Sequence, residues 1–519
     1  MAPITSPLKV HFRRDRSITQ LMLENICNTD PGKVICEDTL SDKRLTYGGV
    51  REDAFRLAES LRRAYGLQPG DVVSIISRSC VDYILATHAV WAAGATVSTI
   101  NHSNTTKDIA FAIGIVKPKI IIVDAAVKKK VDDAVKQDQF QITILTLLSR
   151  VPGHALFPDE LLLDPGARIS PEAYVLDGQD AHKRCAAIVL SSGTTGLPKA
   201  VMLSHYNLTA ICEMLRLHDR NNWRGDMREV FFPVSTYGEF TYFAYVSHIY
   251  GMYVCALLGP WLGCYIQLMH AFDMGIFCQA HVASKLRERF PGVSLCQTYG
   301  CTETSSCITQ SGVRDRDAPL VATGTLVANM AIRFIDDSLQ EVAPGTPGEI
   351  CVSCPTIMMG YKDNEKATQE SFLEPGWYRT GDVGYLDKNG YLIIVDRIKD
   401  VIKYKGFQVP PSELEEIIGR HPHVHDVGVV AAWADAEATE LPRAFVVADP
   451  ALAVSAYPRL ADEICKLVAD QVAGYKRLRG GVRFVQRLPR NPTGKLLRRQ
   501  LRVEQERGES AGGQLKGKI

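Results

Sequence analysis

Ala186–Leu203, AAIVLSSGTTGLPKAVML, is the stretch whose reading decides the fold. The apolar, β-branched run from Ala186 to Leu190 predicts a buried strand, and Ala200 to Leu203 a second short one. The nine residues between them, Ser191 to Lys199 (SSGTTGLPK), have the make-up of a loop that wraps a polyphosphate. Gly193 and Gly196 let the backbone approach a ligand with no Cβ in the way. Ser191, Ser192, Thr194 and Thr195 supply hydroxyl donors, and Lys199 supplies a positive charge. The GxxxxGK[ST] spacing of the Walker loop is absent, and no helix opens directly after the lysine. A flexible surface loop would explain the composition, but not hydroxyls, two glycines and a terminal lysine in this order.

Working outward, 519 residues are too many for one hydrophobic core and imply two or more domains. Hydrophobic residues at 46% and charged residues at 23% are globular values. A net charge of +1 gives no global field to recruit nucleic acid or an anionic membrane. The first 20 residues hold no apolar run long enough for a secretory signal, and 14 scattered cysteines suit a reducing compartment. Cys351 and Cys354 form a lone CxxC in a strand-like GEICVSCP, with no second pair to complete a metal site. His421, His423 and His425 alternate as at the polar start of a strand. From Phe240 to Phe272 there is no Lys, Arg, Asp or Glu, and Ile249 to Met269 has the length of a membrane span. Gly259-Pro260 in mid-run should break a helix there, and no basic cluster flanks the run. A buried helix, a turn and a buried strand are expected, with no integral membrane span.

The N-terminal part alternates helix-like and strand-like segments: Asp53 to Tyr65 helical, Val72 to Ile76 strand, Tyr83 to Ala93 helical, Lys119 to Asp124 strand. Such alternation predicts a parallel sheet covered on both faces. After Gly324 the texture changes to short β-type runs with Gly and Pro turns. From about Arg397 it becomes a small α+β unit, and Gly508 to Ile519 reads as a disordered basic tail.

Three further islands carry chemistry. In QTYGCTET, Gln297 to Thr304, an aromatic ring and the Thr302-Glu303 oxygens stand where a base and a magnesium ion would fit. In Gly376 to Glu415, Asp382 lies between turn residues and suits a pair of ribose hydroxyls, while Arg397 suits ribose or phosphate. Lys403, Lys405 and Gly406 form a basic turn before a helix starting near Ser412, with Glu415 completing a capping box. In LPRNPTGKLLRRQL, Leu488 to Leu501, Lys495 stands at the tip of a Pro-Thr-Gly turn before a basic amphipathic helix.

Taken in order, SSGTTGLPK, YGCTE, GWYRTGD, DRIKDVIKYKG and NPTGK resemble the adenylate-forming superfamily, most closely its acyl-CoA synthetases of the 4-coumarate–CoA ligase and luciferase-like group. The resemblance runs from about Arg44 to Arg499. It implies an α/β fold: a large N-terminal domain of layered α/β subdomains plus a β-barrel (1–396), and a small α+β C-terminal lid (397–519). It also implies a two-step reaction on ATP, magnesium and CoA, in which a carboxylic acid becomes an acyl-adenylate and then a thioester. By that resemblance Ser191, Ser192, Gly193, Thr194, Thr195, Gly196 and Lys199 hold the phosphates. Gln297, Tyr299, Gly300 and Thr302 surround the adenine end, Glu303 holds magnesium, and Asp382 and Arg397 bind the ribose. Lys495 bridges carboxylate and α-phosphate, and Lys399 is the hinge of the lid. Lys403, Lys405, Gly406 and Gln408 swing in for thioester formation, and His248 gates the acyl and pantetheine tunnels.

The chain departs from the family in two places. About a dozen residues, TYGEFTYFAYVS, separate Pro233-Val-Ser235 from His248, where family members run straight on. Only 23 residues separate Asp273 from Gln297, with one amphipathic helix expected at about Ala280 to Phe290. The family carries several dozen more residues there, including a GAAP-like turn on the adenine. An omitted exon and a diverged paralogue both account for the gap. Three functions therefore compete: an acid–CoA ligase, an adenylation enzyme loading a carrier-protein thiol, and an inactive binding protein. Gly517-Lys518-Ile519 has the small–basic–aliphatic order of a peroxisomal address, which leaves cytoplasm and peroxisome both open.

Overall fold

The structure, a computed structural model, describes residues 3–502 apart from 39, 138–140, 163–172, 192–197, 219–239, 243–245, 269–296, 313–318, 320, 344, 399, 406, 435–436, 438, 491–495 and 499. At 137, 240–242 and 408 it describes the backbone alone. The expected helix at 280–290, the tail at 508–519 and most of the extra stretch before His248 lie outside the described residues.

The run Ala186–Leu190 forms the buried middle of the strand Cys185–Ser191, in an eight-stranded sheet. Its order is Gly360–Tyr361, Lys199–Ser204, Cys185–Ser191, Thr96–Thr99, Val72–Ile76, Ile120–Asp124, Thr143–Leu147, Leu156–Phe157. The six strands from Cys185–Ser191 onward are parallel, and the first two join antiparallel. Two helices show why the faces are covered. In Gly49–Tyr65 the buried residues Val50, Ala54, Leu57, Ala58 and Leu61 recur at helical spacing, a single stripe turned to the core. Val81–Ala92, apolar on nearly every side, is buried along its whole length, and its one carboxylate, Asp82, pairs with Lys43 at 2.8 Å. Trp91 crosses to the deciding strand, its indole N–H donating to the Ala186 carbonyl at 2.9 Å.

The β-rich unit is a six-stranded antiparallel sheet. Its order is Ile4–Thr5, Ala331–Ile335, Gly348–Ser353, Trp377–Leu386, Phe372–Glu374, with Leu392–Arg397 also paired to Trp377–Leu386. Among the described residues this path does not close on itself. A four-stranded sheet sets Phe240–Tyr242 and Ile266–Leu268 parallel to Val34–Asp38. In the C-terminal part Val424–Ala434, Thr439–Ala448 and Val482–Phe484 form one sheet, with the helices Pro411–Gly419 and Tyr457–Gln471 beside it. Two principal hydrophobic cores are separate: one drawn from Ile18 to Leu392, the other from Ile402 to Leu478.

Two local readings need correction. The chain does form a buried helix, a turn and a buried strand across Ile249–Leu268, but Gly259-Pro260 does not break the helix. Met252–Leu258 is a π-helical segment, and Gly259 donates to the carbonyl of Val254, five residues back. The wider turn accommodates a residue that lacks an N–H and would crowd the carbonyl four residues earlier. The helix ends two residues on, at Leu262, and Gly263 caps it in the left-handed conformation (φ 68°). No helix among the described residues is long and apolar enough to cross a membrane.

The capping box at Ser412 and Glu415 does not form. Pro410 caps the helix and Pro411 starts it, which moves Ser412 into the first turn. The cap comes from a different strand: Ser412 donates its N–H to Asp396 Oδ2 at 3.0 Å and its hydroxyl to the Val395 carbonyl at 2.7 Å. Glu415 is buried instead against the Arg498 guanidinium at 2.7 and 2.8 Å and accepts the Val429 N–H.

Candidate functional site

Asp382 lies in mid-strand in Trp377–Leu386, and Arg397 ends the neighbouring strand as its register partner. Cross-strand partners project to one face, so their side chains meet. Arg397 Nε lies 3.1 Å from Asp382 Oδ1. From a third element, the strand Thr298–Tyr299, the Tyr299 hydroxyl donates to Asp382 Oδ2 at 2.7 Å. Three residues picked from two islands of sequence thus meet at one carboxylate that is only 6% exposed. Burial, then the Asp382 charge, hold the Tyr299 phenol well above its ordinary range, so it stays a donor. Each carboxylate oxygen has a second lone pair, which leaves Asp382 acceptor capacity for a ligand's hydroxyls.

Gly300 is followed by a turn so tight that a Cβ there would lie 1.8 Å from the Ser306 carbonyl oxygen. Thr302–Thr304 is a single 3₁₀ turn, after which Ser305 (φ 56°) and Ser306 (φ 109°) take left-handed conformations unusual for serine. This strained turn carries Glu303, whose carbonyl accepts the Met358 N–H at 2.8 Å. Its carboxylate Oε1 accepts the Tyr361 hydroxyl at 3.0 Å. Among the described residues Oε2 has no hydrogen-bond partner. One hard oxygen is therefore left for a divalent cation whose other ligands are phosphate oxygens and water, so the site fits magnesium.

Ser191 and Lys199 are register partners, so antiparallel pairing pinches the two ends of the phosphate loop together. The Ser191 hydroxyl is buried with no hydrogen-bond partner among the described residues. The Lys199 ammonium sits 4.7 Å from the centroid of the Tyr361 ring. Ser192, Gly193, Thr194, Thr195 and Gly196 lie outside the described residues, as do Lys399, Gly406 and Lys495.

Gln297 is clamped to Ser311 by its backbone, the Ser311 N–H reaching the Gln297 carbonyl at 2.9 Å. Thr302 is buried at the start of the Glu303 turn. His248 is exposed and caps the helix that starts at Ile249, its Nδ1 accepting the Tyr250 N–H at 3.3 Å. The predicted basic turn is the bend of a hairpin, Ile402–Tyr404 with Phe407–Val409, and Lys405 takes φ 46° there. Lys403 is exposed, its N–H held by Glu440 at 2.7 Å, and Lys405 pairs with Glu437 at 2.8 Å. Gln408 lies in the second strand of the hairpin.

Tyr361 was passed over in the sequence. It stands 58 positions from Glu303, and GYKDNEKAT gives no local sign that the ring will reach the turn.

A family model described as AMP-binding enzyme matches residues 23–274 and 267–362, and the C-terminal domain of AMP-binding enzymes matches residues 413–495. A probable 4-coumarate–CoA ligase 3 of Dictyostelium discoideum is 30% identical over 542 residues, covering 94% of this chain and 95% of its own. A luciferin 4-monooxygenase of Luciola mingrelica is 30% identical over 511 residues, covering 90% of each. Among solved structures, an o-succinylbenzoate–CoA synthetase of Bacillus subtilis in complex with its acyl-adenylate intermediate superposes with a TM-score of 0.75. That likeness is at 23% identity over 96% of this chain and 99% of the other. The two matched stretches overlap at 267–274, at the start of the short interval between Asp273 and Gln297. The first alignment, at 542 residues, is longer than the 519-residue chain, which is therefore gapped against that ligase.

Proposed function

Because this chain belongs to the AMP-binding, adenylate-forming enzyme family, in company with acyl- and aryl-CoA ligases, we propose that it activates a carboxylic acid with ATP and passes the acyl group to CoA. In the first step a substrate carboxylate oxygen attacks the α-phosphorus, a new P–O bond forms, and the bond to pyrophosphate breaks. In the second the CoA thiolate attacks the acyl carbonyl and AMP leaves with the electron pair of the broken C–O bond.

The observation that carries this reading is the meeting of Tyr299, Asp382 and Arg397 at one buried carboxylate. Asp382 would take the two ribose hydroxyls, Arg397 would hold the ribose or an adjacent phosphate oxygen, and the Tyr299 ring would stack on adenine. Ser191 and Lys199, at the neck of the loop, would meet the phosphates together with Ser192–Gly196. Glu303 would hold the magnesium ion, which supplies charge neutralisation of the triphosphate. Lys495 would bridge the carboxylate and the α-phosphate, where negative charge accumulates. Lys403, Lys405, Gly406 and Gln408 would serve the thiol step after rotation about Lys399, with His248 at the tunnel between the sites. The boundary of the two domains is proposed at 396/397, just before the first residues of the second core.

Carboxylate-dependent pyrophosphate exchange over a panel of acids, run with and without CoA, tests the reading. Exchange together with acyl-CoA formation is the expected result, and absence of exchange with every acid overturns it. Exchange with no acyl-CoA would transfer the second step to a carrier-protein thiol. A catalytically impaired paralogue that only binds is the second reading. It is motivated by the short interval between Asp273 and Gln297, and Mg-ATP binding without exchange would select it.

A further inference from the structure

Glu303 is reached from a distant part of the chain. Tyr361, the second residue of the strand Gly360–Tyr361, is 6% exposed and donates its hydroxyl to Glu303 Oε1 at 3.0 Å. The face of the same ring lies 4.7 Å from the Lys199 ammonium. One aromatic side chain therefore touches both the carboxylate suited to a metal and the cation that closes the phosphate loop.

The ring is held from behind. Its backbone N–H donates to the Thr368 hydroxyl at 2.9 Å, and its strand pairs antiparallel with Lys199–Ser204, Val201 opposite Tyr361. The strained turn that carries Glu303 is tied to the stretch just before the same strand. Met358 donates its N–H to the Glu303 carbonyl, and Ser305 donates its hydroxyl to the Thr356 carbonyl at 2.7 Å.

Resting on the nucleotide-and-metal reading above, we propose that Tyr361 is a positioning residue with two separable actions. Its hydroxyl fixes one oxygen of Glu303 so that the other faces the metal of the Mg-ATP complex, and its ring seats Lys199 at the neck of the phosphate loop. The terminal torsion of a glutamate is soft, so an unheld carboxylate samples many orientations. A hydrogen bond from a rigid phenol removes that freedom before the metal arrives. Partners of this kind typically tune metal affinity by about 10–100-fold. The ring acts by a different route, because a cation over an aromatic face keeps its place without a hydrogen bond.

The two actions are distinguished by substitution. Tyr361→Phe keeps the ring and removes the hydroxyl; Tyr361→Leu removes both. Manganese serves as the metal probe, titrated into full-length protein with a non-hydrolysable ATP analogue and followed by electron paramagnetic resonance. Binding of the analogue in EDTA is measured in parallel. Tyr361→Phe is expected to weaken manganese binding in the complex by about 10-fold while leaving analogue binding in EDTA unchanged. Tyr361→Leu should weaken both. In a Glu303→Gln background Tyr361→Phe should have no further effect on manganese, an outcome that loss of packing alone does not produce. A metal-dependent wild type with an unchanged Tyr361→Phe variant overturns this proposal alone, as does an equal loss in both backgrounds. A wild type that binds the analogue with no metal dependence overturns the role of Glu303 and this proposal with it.

Discussion

At Asp382 a carboxylate 6% exposed is met by Arg397 and Tyr299 from two other strands, each contact formed before any ligand arrives. On the Ile402–Val409 hairpin the arrangement is the opposite. Lys405 bends in the open and pairs with Glu437, while Phe407, 53% exposed, stacks on Tyr475 with ring centroids 4.6 Å apart. A buried, prearranged group needs no reorganisation at the moment of reaction, and this is the economical way to stabilise developing charge. Exposed ion pairs are weak and screened, so Lys405 at the bend can exchange partners while Ile402, Tyr404 and Val409 anchor the hairpin in the second core. The contrast suits a protein in which one region has a fixed task and the other must work in two settings.

The largest effect should come from Lys495, the residue proposed to bridge the carboxylate and the α-phosphate. Lys495→Ala is expected to reduce adenylate formation by about 100- to 1,000-fold, or roughly 3–4 kcal/mol, as for loss of one preorganised donor. Its thermal midpoint should barely change, because the Pro-Thr-Gly turn read from the sequence predicts a solvated lysine, and solvated substitutions are nearly neutral. Pyrophosphate release in single turnovers checks this, and a wild-type rate would remove Lys495 from the first step. Next, Asp382→Asn replaces a charged acceptor between two donors. A loss of about 1.5–3 kcal/mol in nucleotide affinity is expected, the range for hydrogen bonds to charged groups. Calorimetric ATP titration reads it, and unchanged affinity would show that the ribose sits elsewhere.

A smaller effect is expected on the exposed side. Lys405→Glu sets like charges at Glu437, yet stability should hardly move, and only acyl transfer to the thiol should slow. Smallest is a pH effect confined to the buried side. Burial pushes His88 and His205 down to about 3, so both fold neutral. A depressed folded value means that the stability they contribute is complete above about 6.5 and is lost as pH falls from there through 3. His205 accepts the Ile18 N–H on Nδ1 at 3.2 Å, which requires the neutral ring. His205→Gln keeps an acceptor without the titration. Its thermal midpoint should therefore fall less steeply than that of the wild type between pH 6.5 and 4, and parallel curves would discount His205.

Much of this contrast was legible in the chain. Ala186–Leu190 is uniformly apolar and β-branched enough to be a buried strand, and a parallel sheet is what alternating helices and strands must build. Tyr299 and Asp382 were picked out beside Gly300 and Gly381, and Arg397 by its place in DRIKDVIKYKG, although Asp382, read as a turn residue, lies in mid-strand. The misreadings at Ser412 and Glu415 share one cause, since each hinged on a distant partner. Ser412 looked like a cap until Asp396, 16 positions away, took over that task. Glu415 looked like a capping-box acid, but Arg498 claims it from 83 positions away. Gly259-Pro260 looked like a break because a π-helical segment has no signature in the letters. Tyr361 went unnoticed because a tyrosine in a short strand is ordinary until the Glu303 turn folds against it.

The central claim is that the buried cluster serves the first step and the exposed hairpin the second. Measuring both half-reactions separately in Asp382→Asn and Lys405→Glu, with a cognate acid found by the exchange panel, tests it most directly. The account predicts that Asp382→Asn loses pyrophosphate exchange, whereas Lys405→Glu keeps exchange and loses conversion of preformed acyl-adenylate to acyl-CoA. Equal loss of both half-reactions in Lys405→Glu, or full exchange in Asp382→Asn, would contradict it.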